Sequence, residues 1–307
     1  MNTVKFCVFT DIHHYPGCFF TEAPRRLKEI QQHALEENCD FIIQCGDFCH
    51  GPEHYPDFVA SYNHFSIPSY HCIGNNDSEN TTAAKTVSGY GLENDFYFFD
   101  QNGFRMVVMN TNYYQKDGKF YPYQDNDYRP YGGSRGWIPP HEMEWLEQTL
   151  LSSPYPCILF SHQSIERDTD AVFNAKEVQA LIRRANQLQK HKVLLCINGH
   201  RHRDFLRIKD NVAYLDLNSA SYDLVDIPHN CFDPKLIKQF HGADRTVIYN
   251  DPLHAIITVT EDGEIKIDGT ESSFYLGISA EASGNNPIDG ASRATTARIS
   301  SNHFKLM

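Results

Sequence analysis

The chain is 307 residues long, enough to bury a sizeable core as one large domain or two small ones. Apolar residues make up 41% and charged residues 21%, and the net charge of −12 argues against holding nucleic acid by bulk electrostatics, which requires a basic face. No apolar run approaches the roughly 20 residues that span a bilayer, and a strand-like run at Val4 leaves no room for a leader, so the chain as given reads as cytoplasmic with no membrane partner, as a chain cleaved from a precursor also would.

Val4 to Phe9 reads as a buried strand, and Arg25 to Glu37 as a helix with Leu27, Ile30, Ala34 and Leu35 on one face. Phe41 to Gln44 and Tyr70 to Ile73 repeat the strand signal. Tyr97 to Phe99 and Phe104 to Met109 flank Asn102-Gly103, a hairpin turn dipeptide. Tyr113 to Gly136 mixes tyrosines with Gly, Asp and Pro and reads as a long functional loop. Met143, Leu146 and Leu150 mark a helix after Pro139-Pro140, and Cys157 to Phe160 a further strand. Asn174 and Glu177 suggest a capping box before Val178, Leu181, Ile182, Ala185 and Leu188 at helical spacing. Val193 to Ile197 is then followed by short strands without helices between them: Phe205 to Ile208, Ala213 to Leu217, Ala255 to Val259 and Glu264 to Ile267. Tyr222 to Asp251 reads as irregular. The pattern implies an α/β domain with two packed sheets flanked by helices.

The expected organisation is one domain over residues 1–280 and a polar tail over 281–307, read as a flap, a dimer arm or a loosely held end. The oligomeric state stays open, with a homodimer among the readings. Nine scattered cysteines with no Cys-x-x-Cys pair are expected to be buried free thiols rather than a thiolate zinc site.

The strand ends carry the chemistry. The first strand is followed by Asp11-Ile12-His13, the second by Gly46-Asp47 and the third by Gly74-Asn75-Asn76-Asp77. The strand at Cys157 ends in His162, and the strand at Val193 in Gly199-His200-Arg201-His202. Ligands of α/β sheets bind beyond the carboxyl ends of strands, so these groups can converge. Carboxylate, imidazole and amide oxygen suit manganese, iron or zinc, and seven such ligands suit two ions sharing one of them.

This five-motif series, over roughly residues 4 to 220, resembles the calcineurin-like metallophosphoesterase superfamily. The resemblance implies a four-layer αββα sandwich with two mixed sheets and a metal site at the strand C-terminal ends. It implies two divalent or mixed-valence transition-metal ions. Asp11, His13 and His202 would hold one, Asn75, His162 and His200 the other, and Asp47 would bridge them. The implied reaction is hydrolysis of a phosphodiester or phosphomonoester of a small molecule or nucleotide, with a metal-bridging hydroxide attacking phosphorus in line.

One position departs from the family. Its third motif usually carries a histidine steered by the following carboxylate, here Asp77, where this chain has Asn76. An amide donates a hydrogen bond but cannot deliver a proton at neutral pH. Three readings remain. Asn76 positions phosphate for esters with good leaving groups; or His14, His50 or Tyr113 supplies the proton; or the protein is a catalytically weak dimetal relative that binds a phosphorylated ligand. For the substrate, the Tyr-rich segment offers rings for stacking from Tyr113 onward, and Arg129 and Arg135 offer a phosphate clamp. The alternative is that the segment covers a hydrophobic edge with its arginines solvated.

Overall fold

A computed structural model describes residues 2–18, 20–167, 170–224, 233–277 and 295–307. The first third runs β1 (Thr3–Phe9), α1 (Ala23–Glu36), β2 (Phe41–Cys45), α2 (Pro56–Asn63), β3 (Ser69–Cys72), α3 (Ala83–Gly89), β4 (Tyr97–Gln101) and β5 (Phe104–Val108). The middle adds β6 (Tyr113–Lys116), β7 (Lys119–Pro122), α4 (Pro140–Ser152), β8 (Cys157–Ser161), α5 (Ala175–Leu188) and β9 (Val193–Asn198). The last third holds β10 (Phe205–Lys209), β11 (Val212–Asp216), β12 (Tyr222–Leu224), α6 (Pro234–Gln239), β13 (Thr246–Ile248), β14 (Ala255–Thr260), β15 (Glu264–Gly269) and β16 (Asn302–Lys305).

Two six-stranded sheets result, ordered β16-β15-β14-β1-β2-β3 and β10-β11-β9-β8-β5-β4. In the first, β1, β2 and β3 are parallel and β14, β15 and β16 antiparallel. In the second, β5, β8, β9 and β11 are parallel and the edge strands β4 and β10 antiparallel. The sheets are mixed, as expected.

Strand alternation builds the layers. Val4, Phe6 and Val8 of β1 meet Phe104, Met106, Val108, Ile158 and Phe160 in the core between the sheets. Cys7 and Phe9 point the other way, toward Leu27, Ile30 and Ala34 of α1. Val107 and Leu159 likewise face Leu146 and Leu150 of α4 and Val178 and Ile182 of α5. Both faces of each central strand are thus covered, which is why these strands are near-continuously apolar. The architecture is the four-layer αββα sandwich. No helix among the described residues is long and apolar enough to cross a membrane. The described cysteines are unpaired and buried, apart from half-buried Cys18.

Several expectations change. Asn102 (φ 50°) and Gly103 (φ 79°) form the expected turn, but Asp117 (φ 51°) and Gly118 (φ 75°) form a second one, so the Tyr-rich stretch opens as the hairpin β6–β7 rather than as loop. The capping box at Asn174 does not form. Asn174 makes no side-chain cap; it accepts from the Ile138 N–H at 3.1 Å and donates to the Ile138 carbonyl at 2.8 Å, tying the start of α5 to the chain entering α4. The stretch from Tyr222 to Asp251 holds the paired strands β12 and β13 and helix α6; residues 225–232 lie outside the described residues. The end of the polar tail is built into the first sheet. β16 pairs with β15, and Ile299 and Leu306 are buried between the sheets, whereas residues 281–294 lie outside the described residues.

Candidate metal centre

All five motifs sit at the carboxyl ends of parallel strands, three in the first sheet and two in the second. Backbone hydrogen bonds lace their loops together. Asp11 N–H donates to Gly46 O and His13 N–H to Asp47 O, each at 3.0 Å, and Gly199 N–H donates to His162 O at 3.0 Å. Asp11 (φ 53°), His13 (φ 48°), Asp47 (φ 52°), His200 (φ 74°) and His202 (φ 48°) all adopt left-handed backbone. Non-glycine residues there cost of order 1–3 kcal/mol each and persist where the surroundings dictate them. Glycines allow the close approach: a Cβ on Gly74 would lie 2.2 Å from Asp47 N, and one on Gly199 would lie 1.9 Å from Thr10 Oγ1.

The side chains form two groups, Asp11 with His13 and His202, and Asp47 with His162 and His200. In the first, Nε2 of His202 is 3.2 Å from Oδ1 of Asp11 and 3.3 Å from Nε2 of His13, which is 3.6 Å from the same oxygen. In the second, Nε2 of His162 is 3.3 Å from Oδ2 of Asp47 and 3.2 Å from Oδ1 of Asn75. Ligands at roughly 2.0–2.2 Å from a common ion stand roughly 3.0–3.6 Å apart, so the spacing fits. The His162 Nδ1–H donates to the Cys45 carbonyl at 2.9 Å, which turns the Nε2 lone pair toward Asp47 and Asn75.

The electrostatics call for positive charge. Asp11, Asp47, His13, His162, His202 and Asn75 are all buried. Burial raises the Asp47 carboxyl, but the adjacent His162 and His13 outweigh it and hold it at about 2. Asp11 likewise lies well below the carboxylate range despite burial, through His202 and His13. Burial lowers His162, yet Asp47 and Asp11 raise it to about 9. The two aspartates thus favour positive charge at this place. His200 is pushed down to about 3 by burial and His162, leaving a neutral imidazole suited to ligation.

Residues 4–204 match the model of the calcineurin-like phosphoesterase family. The chain belongs to that family. It is 24% identical over 212 residues, 66% of its own length and 69% of the relative's, to a protein from Nostoc sp. named 3',5'-cyclic-nucleotide phosphodiesterase. A dimetal phosphatase from Danio rerio superimposes with TM-score 0.60 at 14% identity, covering 89% of this chain and 99% of that one. GAP50, described as the anchor in the inner membrane complex of Plasmodium, gives TM-score 0.56 at 13% identity, with 100% and 90% covered. These structural likenesses show the shared fold. The chain is a phosphoesterase, its family implies two divalent ions, and it carries two groups able to hold them.

In this phosphoesterase the expected ligands converge, and the other candidates divide. A cleft of about 790 Å³ is lined by Tyr15, His50, Asn76, Tyr128, Arg129 and Arg245, among others. Asn76 donates its backbone N–H to Oδ1 of Asp47 at 2.8 Å, and its amide Nδ2 lies 3.4 Å from Nε2 of His50. Asp77 does not steer Asn76. It accepts from the backbone N–H groups of Gly74 at 2.7 Å, Cys49 at 3.0 Å and Asp47 at 3.1 Å, clamping the second motif to the third.

His14 turns away from the cleft: its ring stacks on Phe58 at 4.1 Å and lies edge-on to Tyr55. Tyr113 is also diverted, its hydroxyl donating to Asp95 at 2.7 Å. Arg135 donates to the Ala171 carbonyl at 2.6 Å and covers the Phe173 ring at 4.4 Å. Of Tyr113, Arg129 and Arg135, Arg129 alone lines the cleft, paired with Glu79 at 2.7 Å; Tyr128 of the Tyr-rich segment lines it too.

Sequence reasoning missed Tyr15, Glu79, Ser134 and Arg245, which also line the cleft. Tyr15 and Glu79 lie two residues beyond His13 and Asp77, so their place in the motif loops was the available signal. Arg245 had none.

Proposed function

We propose that this phosphoesterase hydrolyses phosphodiesters of the nucleotide class at a two-ion centre. Asp11, His13 and His202 would hold one ion, Asn75, His162 and His200 the other, with Asp47 placed to serve both. The observation that carries this reading is the position of Asp47 between the two groups. Its Oδ2 is 3.3 Å from Nε2 of His162 and 3.8 Å from Nε2 of His13. Imidazole, carboxylate and amide ligands favour manganese, iron or zinc. Bound there, two such ions supply a nucleophile near neutral pH by acidifying water, and offset phosphoryl charge.

The chain's own groups orient the ester. The Asn76 amide at the cleft can donate to a phosphoryl oxygen but holds no proton to give the leaving group. The rings of Tyr15 and Tyr128 in the cleft offer faces for a base or sugar, and Arg129 and Arg245 offer cations for further anionic groups. The name of the Nostoc relative supports a diester, and a cyclic nucleotide in particular.

The test is hydrolysis of 3',5'-cyclic nucleotides, aryl diesters and aryl monoesters by protein loaded with manganese, iron or zinc. Diester turnover is expected to exceed monoester turnover and to vanish on chelation. Faster monoester cleavage would overturn the substrate reading. Two bound ions without turnover of any ester would assign ligand binding instead.

Asn76→His separates positioning from proton donation. Restoring a group able to carry a proton should raise turnover of alkyl esters by about 10²-fold, in the range general acids contribute, with little change for aryl esters. An equal effect on both would show that Asn76 does not limit protonation of the leaving group.

A further inference from the structure

We infer that Glu79 is a positioning residue for the metal centre: acting through His50, it holds His13 in the tautomer that presents Nε2 to Asp11 and His202. The inference rests on the two-ion reading. It follows from the direction of successive hydrogen bonds. His13 Nε2 faces His202 Nε2 at 3.3 Å and Asp11 Oδ1 at 3.6 Å. As a ligand, His13 must offer a lone pair there, so its proton lies on Nδ1. That Nδ1 is 3.4 Å from Nε2 of His50, which therefore accepts, and His50 carries its own proton on Nδ1. The His50 Nδ1–H donates to Oε2 of Glu79 at 3.1 Å. The other carboxylate oxygen, Oε1, accepts from Arg129 at 2.7 Å.

The chain of bonds runs from the cleft rim to the buried centre. Side-chain exposure falls from 62% at Arg129 to 13% at Glu79 and 3% at His50. His50 is held on other sides as well. Tyr15 stacks on its ring at 4.3 Å, and Asn76 Nδ2 lies 3.4 Å from Nε2. Asn76 is itself oriented by the Asn75 amide, which donates to its Oδ1. The amide that replaces the family histidine is thus part of the same assembly. A carboxylate behind a ligand imidazole fixes the ring and raises its basicity, and loss of such a partner costs about 10–100-fold in metal affinity.

The experiment titrates Co2+ into the whole protein, unmodified and as Glu79→Ala, Glu79→Gln and His50→Ala. It follows visible absorption and bound metal, with a thermal melt of each variant as a check on folding. Glu79→Ala and His50→Ala should each weaken one ion by about 10–100-fold and leave the other unchanged. Glu79→Gln, whose amide oxygen still accepts from His50, should recover most of that loss. Combining Glu79→Ala with His50→Ala should be no worse than His50→Ala alone, because both act through one chain of bonds. Undiminished binding of both ions by Glu79→Ala, or additive losses in the double variant, would overturn the inference. If Glu79→Ala does not fold, undiminished binding by His50→Ala overturns it equally. Failure of the unmodified protein to bind metal would be a different result, and would remove the two-ion reading itself.

Discussion

Asp47→Ala is expected to reduce turnover by about 10³-fold or more, as loss of roughly 4 kcal/mol of metal-borne charge stabilisation requires at 1.36 kcal/mol per decade. Asp47 is the carboxylate placed between the two groups, near Nε2 of both His162 and His13. Without it, one group keeps Asp11 while the other is left with His162, His200 and the neutral amide of Asn75. Bound metal should fall from two ions toward one. Asp47→Asn distinguishes charge from shape. It can still accept the Asn76 N–H that Oδ1 now accepts at 2.8 Å, so the loop survives while the anion is gone. Both substitutions should therefore lose activity, and Asp47→Asn should melt closer to the unmodified protein. Elemental analysis after dialysis is the decisive measurement, and retention of two tight ions by Asp47→Asn would remove Asp47 from the bridging role.

Asp77→Ala should act mainly through stability. Three backbone N–H groups, from Gly74, Asp47 and Cys49, donate to this buried carboxylate. Alanine leaves all three without a partner, and a buried unpaired donor costs about 1–3 kcal/mol. Taking about 3 kcal/mol in total, and about 2–4 °C per kcal/mol for a domain of comparable size, the melting temperature should fall by roughly 6–12 °C. Metal affinity should weaken too, because the clamp fixes the backbone of Asp47 against Gly74, where a Cβ would lie only 2.2 Å from Asp47 N. Asp77→Asn keeps an accepting oxygen and should lie between alanine and the unmodified chain. A melting temperature within about 2 °C of the unmodified protein for Asp77→Ala would show that the clamp does not hold the loops.

The elements were legible because local order suffices for them. Apart from Lys5, Val4 to Phe9 is apolar on both faces because β1 is covered on both, and the Asn102-Gly103 turn reads directly because its left-handed backbone admits few residues. The same rule applies to Asp117-Gly118, but there the dipeptide stands in a Tyr-, Asp- and Gly-rich stretch whose composition is that of a loop. Asn174 fails to cap α5 for a different reason. Its amide is taken by Ile138, 36 residues away, a competitor that no local window contains.

For the centre, the sequence by itself determined which side chains stand at the strand ends, because a strand end followed by Asp, Asn or His is a local pattern. Only the tertiary structure decided how they combine. It set His202 against Asp11 across 191 positions, and put Asp47 between groups drawn from both sheets. It sent His14, Tyr113 and Arg135 to partners elsewhere, and linked Glu79 through His50 to His13. Residue type sets what chemistry a side chain can perform. Which partner it meets depends on sheet order and burial, where distant groups compete for each donor and acceptor, and that competition is resolved only in the folded chain.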